Sequence, residues 1–399
     1  MKLGGYQHFW LSDVDNYLTF TIIKLVSLQK LILYKFDMTH LHQAFKSLKD
    51  PRIHRNRKHK LLDIIILSIL AVLCGAESYD SIALFGKENF EFLKQFLELK
   101  NGIPSHDTIN RVFQMLNPKQ FELCFISWAQ GLKDSNILEQ VIAIDGKTVR
   151  GSKDSFHHKS PLHSVHAWSV ENSICLGQME CEEKTNEITI IPKLLDFLDI
   201  KGSIITIDAM GTQTAIARKI IENGGDYILS VKGNQGSLEE EVHTTCKQNK
   251  PISDSCVVEK GHGRIETRRC EVFEKGLIVD ESRWENLSAI IKITATREFP
   301  TGKIETQERF YISSLNTKND FNTYIRSHWE VENKLHWQLD MTFREDEQRK
   351  RAKHAAKNFA IVRKIALNLL KKDTGKESLR SKKLKAAWSK EFLINILKI

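Results

Sequence analysis

The sequence predicts an α/β protein: a helical N-terminal region, then a mixed sheet, a β-rich insertion and a late helical stretch. Three observations carry this. Apolar residues recur at spacings of three and four across residues 39–132, the period of an amphipathic helix. Two short strand-like runs, Val141-Ile142-Ala143-Ile144 and Ser203-Ile204-Ile205-Thr206-Ile207, each lead into an aspartate. Between residues 256 and 314, strand-like segments succeed one another with turns between them, so helices and strands are grouped as in a mixed α/β architecture.

Taken in order, residues 1–37 differ in texture from the rest of the chain and stay unassigned, with Met38 a possible start. Their apolar part, residues 17–36, is interrupted by Lys24, Lys30 and Lys35 and lacks a small-residue cleavage site, so it reads as neither signal peptide nor span. Residues 38–135 read as a helical domain. Its run Ile64–Cys74 is too short to cross a bilayer and reads as a buried core helix. The turn Asn101-Gly102-Ile103-Pro104-Ser105 precedes a helix capped by Ser105 or Asp107. Residues 136–372 form the second domain, with strands expected at 141–145, 163–170, 174–179, 203–208 and 227–232. Helices are expected at 188–198 and 212–223, and a β-rich insertion at about 236–315. From 321 to 370 the pattern is helical again, and 373–399 reads as a basic helical tail.

The formal charge is +9 over 399 residues, which favours a polyanionic partner or simply describes a basic enzyme. The run from Lys46 to Lys60 holds seven Lys or Arg against Asp50, and reads as a phosphate contact or as a solvated helix end. Residues 344–372 hold ten Lys or Arg and three acids, net +7. Seven cysteines are scattered with no CxxC pair, suggesting neither a disulfide framework nor a zinc site, and fitting a reducing cytoplasm.

Asp145 and Asp208 each come directly after a buried apolar strand, at a sheet edge where α/β proteins bind ligands. Either alone could merely cap the next turn. Both on one sheet would repel at neutral pH, and a divalent cation held by oxygen ligands relieves that. The helix around residues 322–337 supplies a third carboxylate. At 3.6 residues per turn Glu332 shares the more apolar face with His328, Trp329, Leu335 and His336, whereas Glu330 reads as a surface acid paired with Lys334 or Arg326. Lighter readings place Lys147, Arg150 and Lys153 at a phosphate or a solvated turn, Lys232, Asn234, Gln235 and the His262-Gly263-Arg264 turn near a polyanionic partner, and His163, His166 and Trp168 in the core. Asp340 reads as structural and Glu345-Asp346-Glu347 as solvated.

The strings IAIDGKTVRGS, KTNEITIIPKLL, TIDAMGTQ, YILSVKGNQ and HWEVENKLHWQLDMTFREDE resemble insertion-sequence transposases of the DDE type, in the branch of H-repeat-associated proteins. DPR and GIPSHDTINRVF resemble that branch's N-terminal domain, which implies DNA binding or association for residues 38–135, and the likeness spans about residues 40–395. The resemblance implies a ribonuclease-H-like core in which Asp145, Asp208 and Glu332 are catalytic and hold two Mg²⁺ or Mn²⁺ ions. It implies double-stranded DNA partners, terminal inverted repeats and target, bound by a homodimer on paired ends in a bacterial, nucleoid-associated protein. The spacings are 208 − 145 = 63 and 332 − 208 = 124, the longer one accommodating the insertion. Related transposases place Tyr, Arg and Lys at set offsets from the glutamate, where this chain has Ile325, His328 and Leu339. DNA contacts in the glutamate's helix are therefore expected of Arg326, His328 or Lys334, and Lys147 and Arg150, after Asp145, are the remaining candidates for DNA phosphate. A purely hydrolytic nuclease on the same core, or a silent DNA-binding remnant, are the other readings.

Overall fold

The computed structural model describes residues 39–182, 185–261, 263–276 and 282–397. The readings on residues 1–38 and on His262 lie outside them. Six helices come first: α1 (Thr39–Phe45), α2 (Leu61–Leu73), α3 (Tyr79–Glu88), α4 (Phe90–Leu93), α5 (His106–Met115) and α6 (Pro118–Gly131). Helix α2 is buried along almost its whole length, as its mostly Leu/Ile/Val content requires, with Ser68 satisfied by its hydroxyl donating to the Ile64 carbonyl at 2.7 Å. Ser105 caps α5 by accepting from the Thr108 N–H at 3.3 Å, leaving Asp107 in the first turn, where its charge suits the helix dipole.

Strands β1 (Gln140–Val149), β2 (Leu162–Ser169) and β3 (Ile174–Cys181) form an antiparallel meander. Helix α7 (Glu187–Leu195) then leads to β4 (Ser203–Ile207), and α8 (Thr214–Glu222) leads to β5 (Asp226–Val231). Both β1–β4 and β4–β5 are parallel pairs. This arrangement, three antiparallel strands succeeded by two parallel ones joined through helices, is the ribonuclease-H-like core.

Helix α9 (Gly236–Gln248) opens the region expected to be β-rich. It escaped sequence reading because only Leu238, Val242 and Thr245 of its face are buried, too sparse an apolar stripe to stand out. Strands β6 (Ser253–Gly261), β7 (Arg264–Glu274), β8 (Ala289–Glu298) and β9 (Ile304–Ser313) come next. They do not form a separate layer. β9 pairs antiparallel with β5, giving one nine-stranded sheet of order β3-β2-β1-β4-β5-β9-β8-β7-β6.

The late helical stretch is broken rather than continuous. It comprises α10 (Phe321–His328), a π-helical turn Val331–His336, α11 (Trp337–Met341), an irregular segment, and α12 (Ala355–Lys372). Helices α13 (Leu379–Trp388) and α14 (Lys390–Leu397) close the chain. Helix α12 packs against α2, α5, α6 and β3, so a single hydrophobic core joins the early helices to the sheet. Within it, the Asn368 amide accepts from the Cys175 N–H at 2.9 Å and donates to its carbonyl at 2.8 Å, satisfying the backbone of edge strand β3. The positive charge counted over 344–372 is partly internal: Arg363 and Lys364 are buried beside Glu345, at 3.6 and 3.8 Å from its carboxylate. Glu345 is fully buried, correcting its reading as a solvated acid; the two buried cations require it. Among the described residues no helix is long and apolar enough to cross a membrane.

Candidate active site

The parallel β1–β4 pairing runs from Gln140↔Ser203 to Ile144↔Ile207 and stops there. One step further along this register come Asp145 and Asp208, on strands about 4.8 Å apart. Asp145 does not end its strand, as the sequence suggested: β1 continues to Val149 because β2 still pairs with it, Asp145 opposite His166. It is β4 that stops, opening a notch beside Asp145. Asp208 leaves β4 as the cap of a 3₁₀ turn, accepting from the N–H groups of Met210 at 3.1 Å and Gly211 at 3.3 Å. Capping and membership of the carboxylate pair are thus compatible. Asn234 and Gln235 brace this turn, donating to the carbonyls of Ala209 and Thr212, both at 2.7 Å.

Alternation along β1 and β4 turns Asp145, Thr206 and Asp208 to the face covered by α10 and the π turn. Glu332, Trp329 and His328 line the same cleft as Asp145 and Asp208, together with Lys232 and Arg309. Glu332 shares this face as the helical spacing indicated, but its side chain is exposed at the rim rather than buried. Glu330 points elsewhere: one oxygen meets Lys334 at 2.6 Å and the other is buried without a hydrogen-bond partner. The π turn, which no helical period forecasts, carries Glu332 and His336; such wide turns cluster at functional sites.

Two hydrogen-bonded chains flank Asp145. On one side His336 Nδ1 lies 3.5 Å from Asp145 Oδ2, and its Nε2 is 2.9 Å from His166 Nδ1. On the other, Glu187 at the start of α7 meets His163 Nε2 at 2.8 Å, and His163 Nδ1 meets the Thr148 hydroxyl at 2.8 Å. Glu187 presses against Gly146, where a Cβ would come within 2.0 Å of its carboxylate oxygen. The histidines expected in the core are therefore partly wired to the acids, while Trp168 is buried as expected. Glu187 was overlooked as an acid of the site although it lies in the KTNEI string; no spacing rule connects it to Asp145.

The electrostatics derive from burial and crowding. Burial, with Asp208, Glu187 and Glu332 nearby, pushes the Asp145 carboxyl up to about 7 against a stabilising Gly146 N–H. Burial also raises Asp208, with Glu187 adding to it, and raises Glu332 against the pull of Arg309. His328 and His336 are pushed down by burial to about 4 and about 3, so both are neutral at physiological pH. Three acids, Asp145, Asp208 and Glu332, line the cleft with two cations, Lys232 and Arg309, a formal net of −3 + 2 = −1, and Glu187 adds negative charge from the other side of β1. All-oxygen donors short of positive charge suit a hard divalent cation. Among the described residues no three such side chains stand ready-made as an ion cage.

The residues expected to touch DNA divide. Arg150, Arg326 and Lys334 are accessible, with 86%, 47% and 44% of their side chains exposed. Lys147 is 7% exposed and donates to both oxygens of Asp340 at 2.7 Å; Asp340 thus has the structural role expected of it. His328 is held in the cleft wall by Thr206, at 2.9 Å. In the early basic run, Arg52 is buried against Asp50 at 2.7 Å and the His59 carbonyl, so that run is partly folded onto itself.

The fold is thus a ribonuclease-H-like sheet with acids gathered where β4 stops pairing with β1. The sequence comparisons are more specific. Residues 137–369 match the Transposase DDE domain, and residues 42–129 match the family described as DDE_Tnp_1-associated. The chain belongs to the DDE transposase family. It is 44% identical over 373 residues to the H repeat-associated protein YhhI of Escherichia coli K12, covering 90% of this chain and 98% of that one. The same figures hold for YbfL of that strain. A short relative there, named inactive transposase YbfQ, is 54% identical over 54 residues, 14% of this chain and 64% of that one. A solved piggyBac transposase synaptic complex with hairpin DNA is similar at TM-score 0.37 and 10% identity, over 92% of this chain and 80% of that one.

Proposed function

We propose that this chain is an insertion-sequence transposase that cuts DNA at the element's terminal repeats and joins the ends to target DNA, using Asp145, Asp208 and Glu332. The observation that carries this reading is the register placing Asp145 beside Asp208 where β4 stops, with Glu332 lining the same cleft. These three carboxylates would hold Mg²⁺ or Mn²⁺, two ions per site. Bound there, the ions supply a lowered pKa for an attacking water or 3′-hydroxyl and charge neutralisation at the leaving oxygen of an in-line displacement.

The chain's own residues orient the rest. The Gly146 N–H donates to Asp145 Oδ1 at 2.9 Å and fixes that carboxylate. Lys232 and Arg309 present positive charge to a phosphodiester entering the cleft. Arg309 lies over the Trp329 ring, 4.9 Å from its centroid, which holds its guanidinium in place. Neutral His328 and His336 add no competing charge. Arg150, Arg326 and Lys334 are open to DNA phosphates, and joining two ends calls for a homodimer with two such sites.

The test is strand transfer of a labelled duplex carrying the flanking terminal repeat, with Mg²⁺ or Mn²⁺, in wild type, Asp145→Ala, Asp208→Ala, Glu332→Ala and Glu330→Ala. Joined product lost in the first three variants and kept in Glu330→Ala supports the reading. Activity retained by Glu332→Ala refutes the glutamate assignment. Cleavage without joining in the wild type indicates a hydrolytic nuclease, and binding without either a silent remnant.

A further inference from the structure

The face of β7, β8 and β9 that α10 covers is longer than the helix. Near α10 it is apolar, with Cys270, Val272, Ile291 and Ile293 packed on Phe321 and Ile325. Beyond the helix the same face continues with Arg264, Glu266 and Arg268 at alternate positions of β7, and with Arg297 opposite Glu266 on β8. Arg309 of β9 and Arg326 of α10 close the recess.

Five arginines thus converge on one hollow whose lining contains a single acid, Glu266. Glu259 also reaches Arg268 at 3.0 Å and Arg326 at 3.9 Å, so, leaving aside Arg309, which also faces Glu332 in the acidic cleft, four arginines meet two acids, a formal balance of +4 − 2 = +2. The arginines are not saturated by these acids. Glu266 is shared at 3.4 to 3.6 Å among Arg264, Arg268 and Arg297. The Nε–H of Arg268, whose side chain is 9% exposed, is buried with no hydrogen-bond partner, as is that of Arg297. Buried donors without acceptors cost free energy, and planar guanidinium forks match a phosphate's oxygens in number and geometry. The hollow adjoins the acidic cleft, sharing Arg309, Tyr311, Ile325 and Trp329 with it.

We propose that this arginine-lined recess binds a backbone phosphate of the DNA strand next to the one being cut, making the outer strands a clamp rather than a spacer. The inference rests on DNA being the partner. It is tested without chemistry, by fluorescence anisotropy of a labelled duplex about two helical turns long in EDTA over a salt series. Wild type is compared with Arg264→Gln, Arg297→Gln, Glu266→Gln and Arg269→Gln. Arg269 lies on the opposite face of β7, paired with Asp254 at 2.7 Å, and serves as the control; thermal melting verifies that each variant folds.

Arg264→Gln and Arg297→Gln should each weaken binding and flatten the slope of log affinity against log salt by about 0.9, one phosphate contact. Glu266→Gln should tighten binding, a gain that damage to the fold would not produce, and Arg269→Gln should leave the slope unchanged. Slopes unaltered by Arg264→Gln and Arg297→Gln, or binding not tightened by Glu266→Gln, overturn the recess while leaving DNA as the partner. Absence of duplex binding by the wild type overturns both.

Discussion

Replacing Asp145 by Asn removes a buried carboxylate that is crowded by Asp208, Glu187 and Glu332. Its side chain is 20% exposed, and its pKa rises from the ordinary 3.8 to about 7. A carboxyl whose folded pKa is raised holds its proton in the native state over a range where the unfolded chain has lost it. Native stability therefore falls as pH rises from about 4 to about 7. At about 1.4 kcal/mol per pH decade, the penalty of keeping Asp145 is about 2 kcal/mol at pH 5.5 and about 4 kcal/mol at pH 8. Urea unfolding in EDTA should show Asp145→Asn gaining about 2 kcal/mol on wild type between pH 5.5 and pH 8. Mg²⁺ at pH 8 should narrow the gap by stabilising wild type and not the variant, because the ion binds only the folded site. A gap that is the same at both pH values would refute the idea that this carboxylate is uncompensated in the ion-free protein.

Three further outcomes are expected. Gly146→Ala puts a Cβ where Glu187 sits and should lower strand transfer by about 100-fold through displacement of the acids, with the midpoint of thermal unfolding showing how much is lost structure. Glu187→Gln should let the His163 pKa, raised chiefly by its hydrogen bond to Glu187, fall back toward the ordinary 6.5 in an NMR titration. The stability this pair contributes is full below about 6.5 and is lost as pH rises through the raised folded value, so unfolding of the variant should resemble wild type more closely at high pH. Glu345→Ala strands Arg363 and Lys364 in the interior and should cost about 3–5 kcal/mol in urea unfolding; a loss under about 1 kcal/mol would show that these cations find other partners.

The two aspartates were legible because each comes after a short, nearly unbroken apolar strand, the pattern of strands buried on both faces. Their adjacency was not, since it depends on where β4 stops pairing with β1. Glu332 could be placed on the right face from a 3.6-residue period, yet the π turn that widens the helix at Val331–His336 leaves no periodic trace. The strands β6 to β9 were recognisable one by one, but their continuity with the core depends on β5–β9 pairing across more than seventy residues. Lys147 was read at a phosphate or a solvated turn, and Arg363 and Lys364 entered only a count of basic residues, because neither reading can tell which charges meet water. Asp340, 193 residues from Lys147, and Glu345, in the irregular segment before α12, draw them inside.

The dependence of α2 on α12 sets a clock on synthesis. Leu73 ends α2 and Ala355 begins α12, so 354 − 73 = 281 residues must be made between them. At about 5–20 residues per second that is roughly 15 to 60 seconds, during which one of the most apolar helices of the chain lacks its main cover. A gene copy truncated before residue 355 would extend that interval indefinitely. Its product would be a substrate for chaperones and proteases whatever the state of its acidic residues.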